Sequence, residues 1–228
     1  MTTHQQKQIE VINQIEEQVK KNTLNFSTVP PIEDYDNDTR ICLTSVHLPS
    51  QILITKINET IIRPLKEVEP KYYYYFNDSL HMTIKNIRVI NDPPHFNQDD
   101  LLKAEKIYSE IIPKHHKFKV YFYRLLLFPN NLALIGTTDP ELDEIFIDLD
   151  RRLKEEGISD DKKYSNPKYF FSNMTLARFS NPSDDFKSKV EELSNKLSLK
   201  PYTVDSVTLL SGNAVFKKRQ IINTWSLK

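Results

Sequence analysis

Across residues 1–24 the apolar positions Ile9, Ile12, Ile15 and Val19 recur at spacings of three and four amid Gln, Glu and Lys, which predicts an amphipathic helix with one narrow stripe. Val29-Pro30-Pro31 and the acidic stretch 33–38 then break any helix, so residues 25–38 read as a linker and the compact domain is expected over 39–228. Residues 40–48 are rich in strand formers and stop at Pro49, while 51–65 return to helical spacing before Glu69-Pro70. A strand over 79–90, a helix over 99–112 closed by Pro113, and a strand over 118–127 follow. Pro129-Asn130-Asn131 marks a turn into 132–138, which predicts an antiparallel hairpin. The remainder reads as a helix over 141–155, a strand over 169–179, a helix over 184–197 capped by Ser183, and final strands over 202–210 and 219–227.

Composition narrows what such a chain does. With 228 residues, 39% hydrophobic and 27% charged, it has enough apolar surface to fold around a core, and disordered, collagen-like and disulfide-scaffold classes are excluded. Lys plus Arg and Asp plus Glu number 31 each, so no net field draws in nucleic acid or a membrane surface, and any polyanion must be held by a local arrangement of side chains. A lone Cys42 is too few for an internal disulfide or a Cys-rich zinc site, which points to a reducing compartment. The start of the chain has no apolar signal core and no stretch approaches about 18 apolar residues, so a cytoplasmic protein without membrane association is expected. Only three glycines occur, and no Gly-rich phosphate loop is among the motifs.

One internal repeat stands out: His81-Met82-Thr83-Ile84-Lys85-Asn86-Ile87 against Asn173-Met174-Thr175-Leu176-Ala177-Arg178-Phe179. On a strand, His81 and Thr83 share one face while Leu80, Met82 and Ile84 share the other; Asn173 and Thr175 likewise stand opposite Met174 and Leu176. A single strand histidine is ordinarily a satisfied structural residue. The recurrence of the segment with the same Met-Thr core, in two strand–helix–strand halves at about 39–138 and 139–228, argues that the polar pairs face one another across a cleft.

The first segment, H-x-T-I-x-x-I, and the second, x-x-T-L-A-R-F, resemble the motifs of the two-histidine phosphoesterase superfamily, which includes the 2′-5′ RNA ligase-like (LigT-like) proteins. The 40–48 strand running into a helix, Leu126-Leu127-Phe128-Pro129 before a second strand, and the terminal strand pair are similar to that family's layout over 39–228; the N-terminal helix lies outside it. The resemblance implies a bilobal α+β duplication, with two antiparallel sheets around a central groove and helices outside. It also implies phosphodiester chemistry, often on RNA 2′,3′-cyclic phosphates, without metal or cofactor. His81 would serve as acid or base, and Thr83 and Thr175 would donate to the non-bridging phosphate oxygens. Where the family's second motif has His, this chain has Asn173, preceded by Ser172 where Pro is common. An amide exchanges no proton at accessible pH, so Asn173 can donate a hydrogen bond or orient a water but cannot be the second acid or base.

Around this catalytic set of His81, Thr83, Asn173 and Thr175, the candidates for substrate binding are Tyr75, Tyr169 and Arg178, although strict alternation turns Arg178 away from Asn173. The run from Tyr72 to Tyr75 offers either packing or faces for base stacking. His115-His116 reads as a solvated turn rather than a metal pair, and so does the basic 217–219; His47 either reaches the groove or caps the sheet. Three functions follow: a phosphodiesterase-like protein acting on RNA or nucleotide phosphodiesters, an inactive nucleotide or RNA-binding module, or an interaction protein that self-associates through its N-terminal helix.

Overall fold

Helix α1 (Thr3–Lys20) opens on a reciprocal cap: the Thr2 hydroxyl accepts from the Gln5 N–H, and the Gln5 side chain accepts from the Thr2 N–H. The structure, a computed structural model, describes residues 1–26 and 28–228. In chain order there follow β1 (Ile41–His47), α2 (Gln51–Ile57), α3 (Arg63–Val68), β2 (Tyr73–Tyr74), β3 (Met82–Asn91), α4 (Gln98–Ile111), β4 (Phe118–Leu127) and β5 (Asn131–Thr138). The chain continues through α5 (Glu141–Glu155), β6 (Ser172–Arg178), α6 (Asp184–Asn195), β7 (Tyr202–Val204), β8 (Ser206–Gly212) and β9 (Arg219–Ser226). A single π-helical turn, Asn58–Ile62, joins α2 to α3. Pro64, just beyond it, has no N–H to give the preceding turn, and the wider turn absorbs that loss.

Two antiparallel sheets result, in the orders β3-β1-β8-β9 and β2-β6-β5-β4-β7. The bilobal α+β architecture with two antiparallel sheets is therefore as expected, but its lobes are not the sequence halves 39–138 and 139–228. Each sheet takes strands from both halves. The segment expected as one strand over 202–210 divides at Asp205, so that β7 completes one sheet against β4 while β8 enters the other against β1. Ser183 caps α6 by accepting from the Phe186 N–H, as its position predicts. One continuous core joins the inner faces of both sheets, with Leu43, Ile87 and Leu209 from the first and Val120, Leu134 and Met174 from the second.

Helix α1 spends its stripe on this same molecule. Ile12 and Ile15 pack with Leu126, Phe128, Ala133 and Ile135 of the five-stranded sheet, which leaves them unavailable to a second copy. Gln8, fully buried, donates to the Thr138 hydroxyl (2.8 Å) and the Phe170 carbonyl (2.5 Å) and accepts from the Thr138 N–H (2.8 Å). Arg124 pairs with Glu16 at 2.6 Å on the flank. Among the described residues no helix is long and apolar enough to cross a membrane.

Candidate active site

Strands β3 and β6 carry the repeat, and each loses one residue of register at the same place. Against β1, Val46 pairs with Thr83 and Ser45 with Lys85, leaving Ile84 as an extra residue; against β5, Ala133 pairs with Thr175 and Leu132 with Ala177, leaving Leu176. Each extra residue makes a β-bulge that reverses the alternation beyond it. The faces change over accordingly. His81, Thr83, Asn173 and Thr175 line one cavity of about 600 Å³, as alternation predicts, and beyond the bulges Asn86 and Arg178 join them while Lys85 and Ala177 do not. Arg178 therefore faces Asn173 rather than turning from it, which corrects the strict-alternation reading. Met82, Met174 and Leu176 lie in the core on the opposite side, as expected, whereas Ile84, the bulged residue expected with them, also lines the cavity.

His81 sits just before β3 with its ring 4.2 Å, centroid to centroid, from Phe216 and 6.0 Å from Tyr75. Its Nδ1 lies 2.7 Å from the Ser79 carbonyl, which can only accept, so Nδ1 carries the proton and Nε2 keeps a lone pair. Burial, reinforced by the positive charges of Arg178 and Arg219, pushes the imidazole down to about 4. His81 is thus neutral near pH 7, with the Nε2 lone pair free to accept a proton, and the lowered pKa makes it a weak base. Phe216, beneath it in the β8–β9 turn, holds φ at +55°, a conformation that costs a non-glycine residue about 1–3 kcal/mol. Its N–H donates to the Asn213 carbonyl at 3.1 Å, so the turn that stores this strain also fixes the histidine's platform.

Arg178 is 6% exposed, and among the described residues no carboxylate pairs with it. Its Nε donates to the Tyr75 hydroxyl at 2.9 Å, and that hydroxyl donates in turn to the Ala214 carbonyl at 2.8 Å. The guanidinium lies 5.7 Å and 5.8 Å from the ring centroids of Tyr35 and Tyr75. Burial raises the Tyr75 pKa, so the phenol stays protonated and acts to hold Arg178. Tyr75 lines the cavity, and its hydroxyl is engaged by Arg178 and Ala214. On the same strand the amide oxygen of Asn173, which lines the cavity, is buried without a hydrogen-bond partner among the described residues, as is the hydroxyl of Ser172, which does not line it.

Sequence reasoning missed Lys162. It lines the cavity from the segment between α5 and β6, where the polar 159–168 stretch looks like a solvated loop. Burial holds its ammonium below the ordinary lysine value, with the nearby Lys85 charge acting in the same direction and Asp160 opposing both. Lys85 is fully buried behind the site, paired with Asp150 at 3.0 Å and with Asp160, its ammonium 4.0 Å from the Phe146 ring centroid. Asn86 and Thr44 also line the cavity, and their only sequence signal was a polar residue inside a strand. Three cations, Arg178, Lys162 and Lys163, reach this surface, and no Asp or Glu among the described residues does.

The other candidates divide between the cavity and the rest of the fold. Tyr169 lines the cavity, whereas Tyr72, Tyr73 and Tyr74 use their hydroxyls on the Asn181 carbonyl, Asp36 and the Glu69 carbonyl. His47 caps the sheet, bonding the Ser206 carbonyl at 2.9 Å and the Tyr202 hydroxyl at 3.0 Å. His115 is not solvated as the Lys-rich turn implied: it is buried against Glu141 at 2.9 Å and Asp148 at 3.4 Å, while its carbonyl accepts from the Lys228 N–H. His4 pairs with Asp143 (2.7 Å) and His95 with Asp161 (3.1 Å), both away from the cavity lining.

Two antiparallel sheets with helices outside match a LigT-like fold. Among solved structures, apo LigT of E. coli superposes with a TM-score of 0.56 at 14% identity, covering 84% of this chain and 99% of LigT. LigT complexed with 3′-AMP gives 0.52 at 15% over the same shares, and TT0787 of Thermus thermophilus gives 0.54 at 12%, covering 83% of this chain and 98% of that one. At these identities the likeness is one of fold. No family model matches the sequence, and none of the curated proteins does.

Proposed function

We propose that this groove binds the phosphodiester of a nucleotide or RNA end of the 2′,3′-cyclic phosphate type and cleaves it slowly, with His81 as general base. One observation carries the reading: a buried arginine, without a carboxylate partner among the described residues, stands on the wall of a cavity lined by His81, Thr83 and Thr175. An unpaired buried guanidinium is costly, and an anion in the cavity removes that cost. Support also comes from LigT, whose crystal complexes contain 3′-AMP, ATP and phosphate.

In this scheme Thr83, Thr175 and Arg178 donate to the non-bridging oxygens, where negative charge concentrates. Water attacks phosphorus as Nε2 of His81 takes its proton; the bond from phosphorus to the 2′ or 3′ oxygen breaks, and the departing oxygen takes a proton from solvent. Asn173 cannot deliver that proton. A positioned donor contributes about 10²–10⁴-fold, so turnover falls short of a two-histidine site by that factor.

Asn173 favours a second reading, a module that binds the same anion without turnover. Incubation with a panel of 2′,3′-cyclic nucleotides separates the two: turnover above a His81→Ala control supports catalysis. Binding without turnover, weakened by Thr83→Val and Thr175→Val, supports the module. Failure to bind any phosphate ester removes both. The reducing environment implied by the free, buried Cys42 fits a cytoplasmic protein.

A further inference from the structure

We propose that the N-terminal segment builds a base-binding subsite beside the phosphate floor, with Phe26 as its stacking face; this rests on the reading of the floor given above. A phosphate group fills only a small part of a cavity of about 600 Å³, a size that ordinarily holds a whole small molecule. The space beyond the polar floor is bounded by Ile15 of α1, Phe26, Val29, Phe128, Tyr169 and Phe171. Phe26 stands edge-on to Phe128, ring centroids 6.3 Å apart at 89°, which leaves an aromatic corner rather than a smooth apolar tube.

The wall is held in place from both ends. Asn130 donates to the Val29 carbonyl at 2.6 Å. On the other side Gln8 donates to the Phe170 carbonyl, and the Phe170 N–H donates to Asp143 at 2.8 Å, fixing the stretch that carries Tyr169 and Phe171. The same lining includes the hydroxyls of Thr28 and Ser165, the amide oxygen of Asn131 and the amide N–H groups of Asn166, while Asn131 Nδ2 is engaged with Asn130 and Asn166 Oδ1 with the Lys168 and Tyr169 N–H groups. An alkyl chain would leave those groups unpaired. A nucleobase presents an apolar face to the rings and polar edges to the amides and hydroxyls, so it is the occupant this surface fits.

The superposition takes in 99% of LigT and leaves 16% of this chain over, a share close in length to the 38 residues before Thr39. In this proposal Phe26 and Val29, from that N-terminal stretch, complete a wall whose other rings come from the 39–228 domain and set which phosphodiester the site receives.

Calorimetric titration of the full-length protein with 3′-AMP, inorganic phosphate and dodecyl phosphate tests it. Phe26→Ala should weaken 3′-AMP binding about ten-fold, the scale of one lost base stack, and leave phosphate binding within about two-fold of wild type. Phe26→Leu, which keeps apolar bulk without an aromatic face, should show a smaller loss with the same selectivity, and unfolding temperatures of both variants confirm that they fold. Equal weakening of phosphate and 3′-AMP overturns the subsite, as does no change in either. Tighter binding of dodecyl phosphate than of 3′-AMP to the wild type overturns the choice of a base. Wild-type protein that binds no phosphate at all removes the reading of the floor, and the subsite with it.

Discussion

Strands β3 and β6 share a backbone course down to the position of their bulges, yet an imidazole, which can exchange a proton, precedes Met82 where an amide, which cannot, precedes Met174. Thr83 corresponds to Thr175 and Asn86 to Arg178, both pairs on the cavity, while His81 corresponds to Asn173. The hydrogen-bonding half of the repeated unit is present twice and the proton-transfer half once. Binding an anion needs only donors at fixed places, which both strands supply. Cleaving it efficiently needs two titrating groups, and the second strand supplies an amide.

Restoring the symmetry is the strongest way to break this contrast. Asn173→His should raise hydrolysis of 2′,3′-cyclic nucleotides by about 10²–10⁴-fold, read as initial rates of ring opening. No increase would mean that the cleft has diverged beyond this one position.

The proton-transfer strand carries a second signature. Because burial depresses the His81 pKa from 6.5 to about 4, the unfolded chain binds that proton more readily than the folded one. The native state is therefore undiminished above pH 6.5 and loses on the order of 3 kcal/mol as pH falls to about 4. Denaturant titrations across that window should show a shallower acid slope for His81→Gln than for wild type; parallel slopes would place the sensitivity elsewhere, for example at buried His47, which burial also depresses.

On the second strand, Tyr75→Phe leaves the buried Arg178 Nε without its acceptor. About 1.5–3 kcal/mol of stability should be lost in chemical denaturation, together with weaker phosphate binding, because the guanidinium is no longer held. Smallest of all, Thr83→Val and Thr175→Val should each cost about 1 kcal/mol in phosphate affinity by titration, and by similar amounts on the two strands. A large imbalance between them would show that the groove favours one side.

Much of this was legible before any coordinates. The predicted spans 118–127 and 141–155 coincide with β4 and α5, since strong periodicity was bounded by Pro113, the 129–131 turn and Pro140. His81, Thr83, Asn173 and Thr175 were found because a seven-residue repeat is visible without knowing how strands pair. The place of Arg178 was not, because a bulge is a property of pairing: nothing in Leu176 itself says that it will fall between Ala133 and Leu132. Lys162 was hidden for a different reason. Its loop has the composition of solvated chain, and only the tertiary fold turns one of its lysines inward. The division of 202–210 at Asp205 was equally invisible, since both pieces are good strand sequence and differ only in which sheet receives them.

The neutral state of His81 has a calorimetric consequence. An anion settling beside Nε2 favours the charged imidazolium, so ligand binding draws in a fraction of a proton, and only the complexes whose Nε2 stays unprotonated hold a base. Titrations in buffers of different ionisation enthalpy should then give apparent heats that differ between buffers, and the His81→Gln protein should give heats that do not.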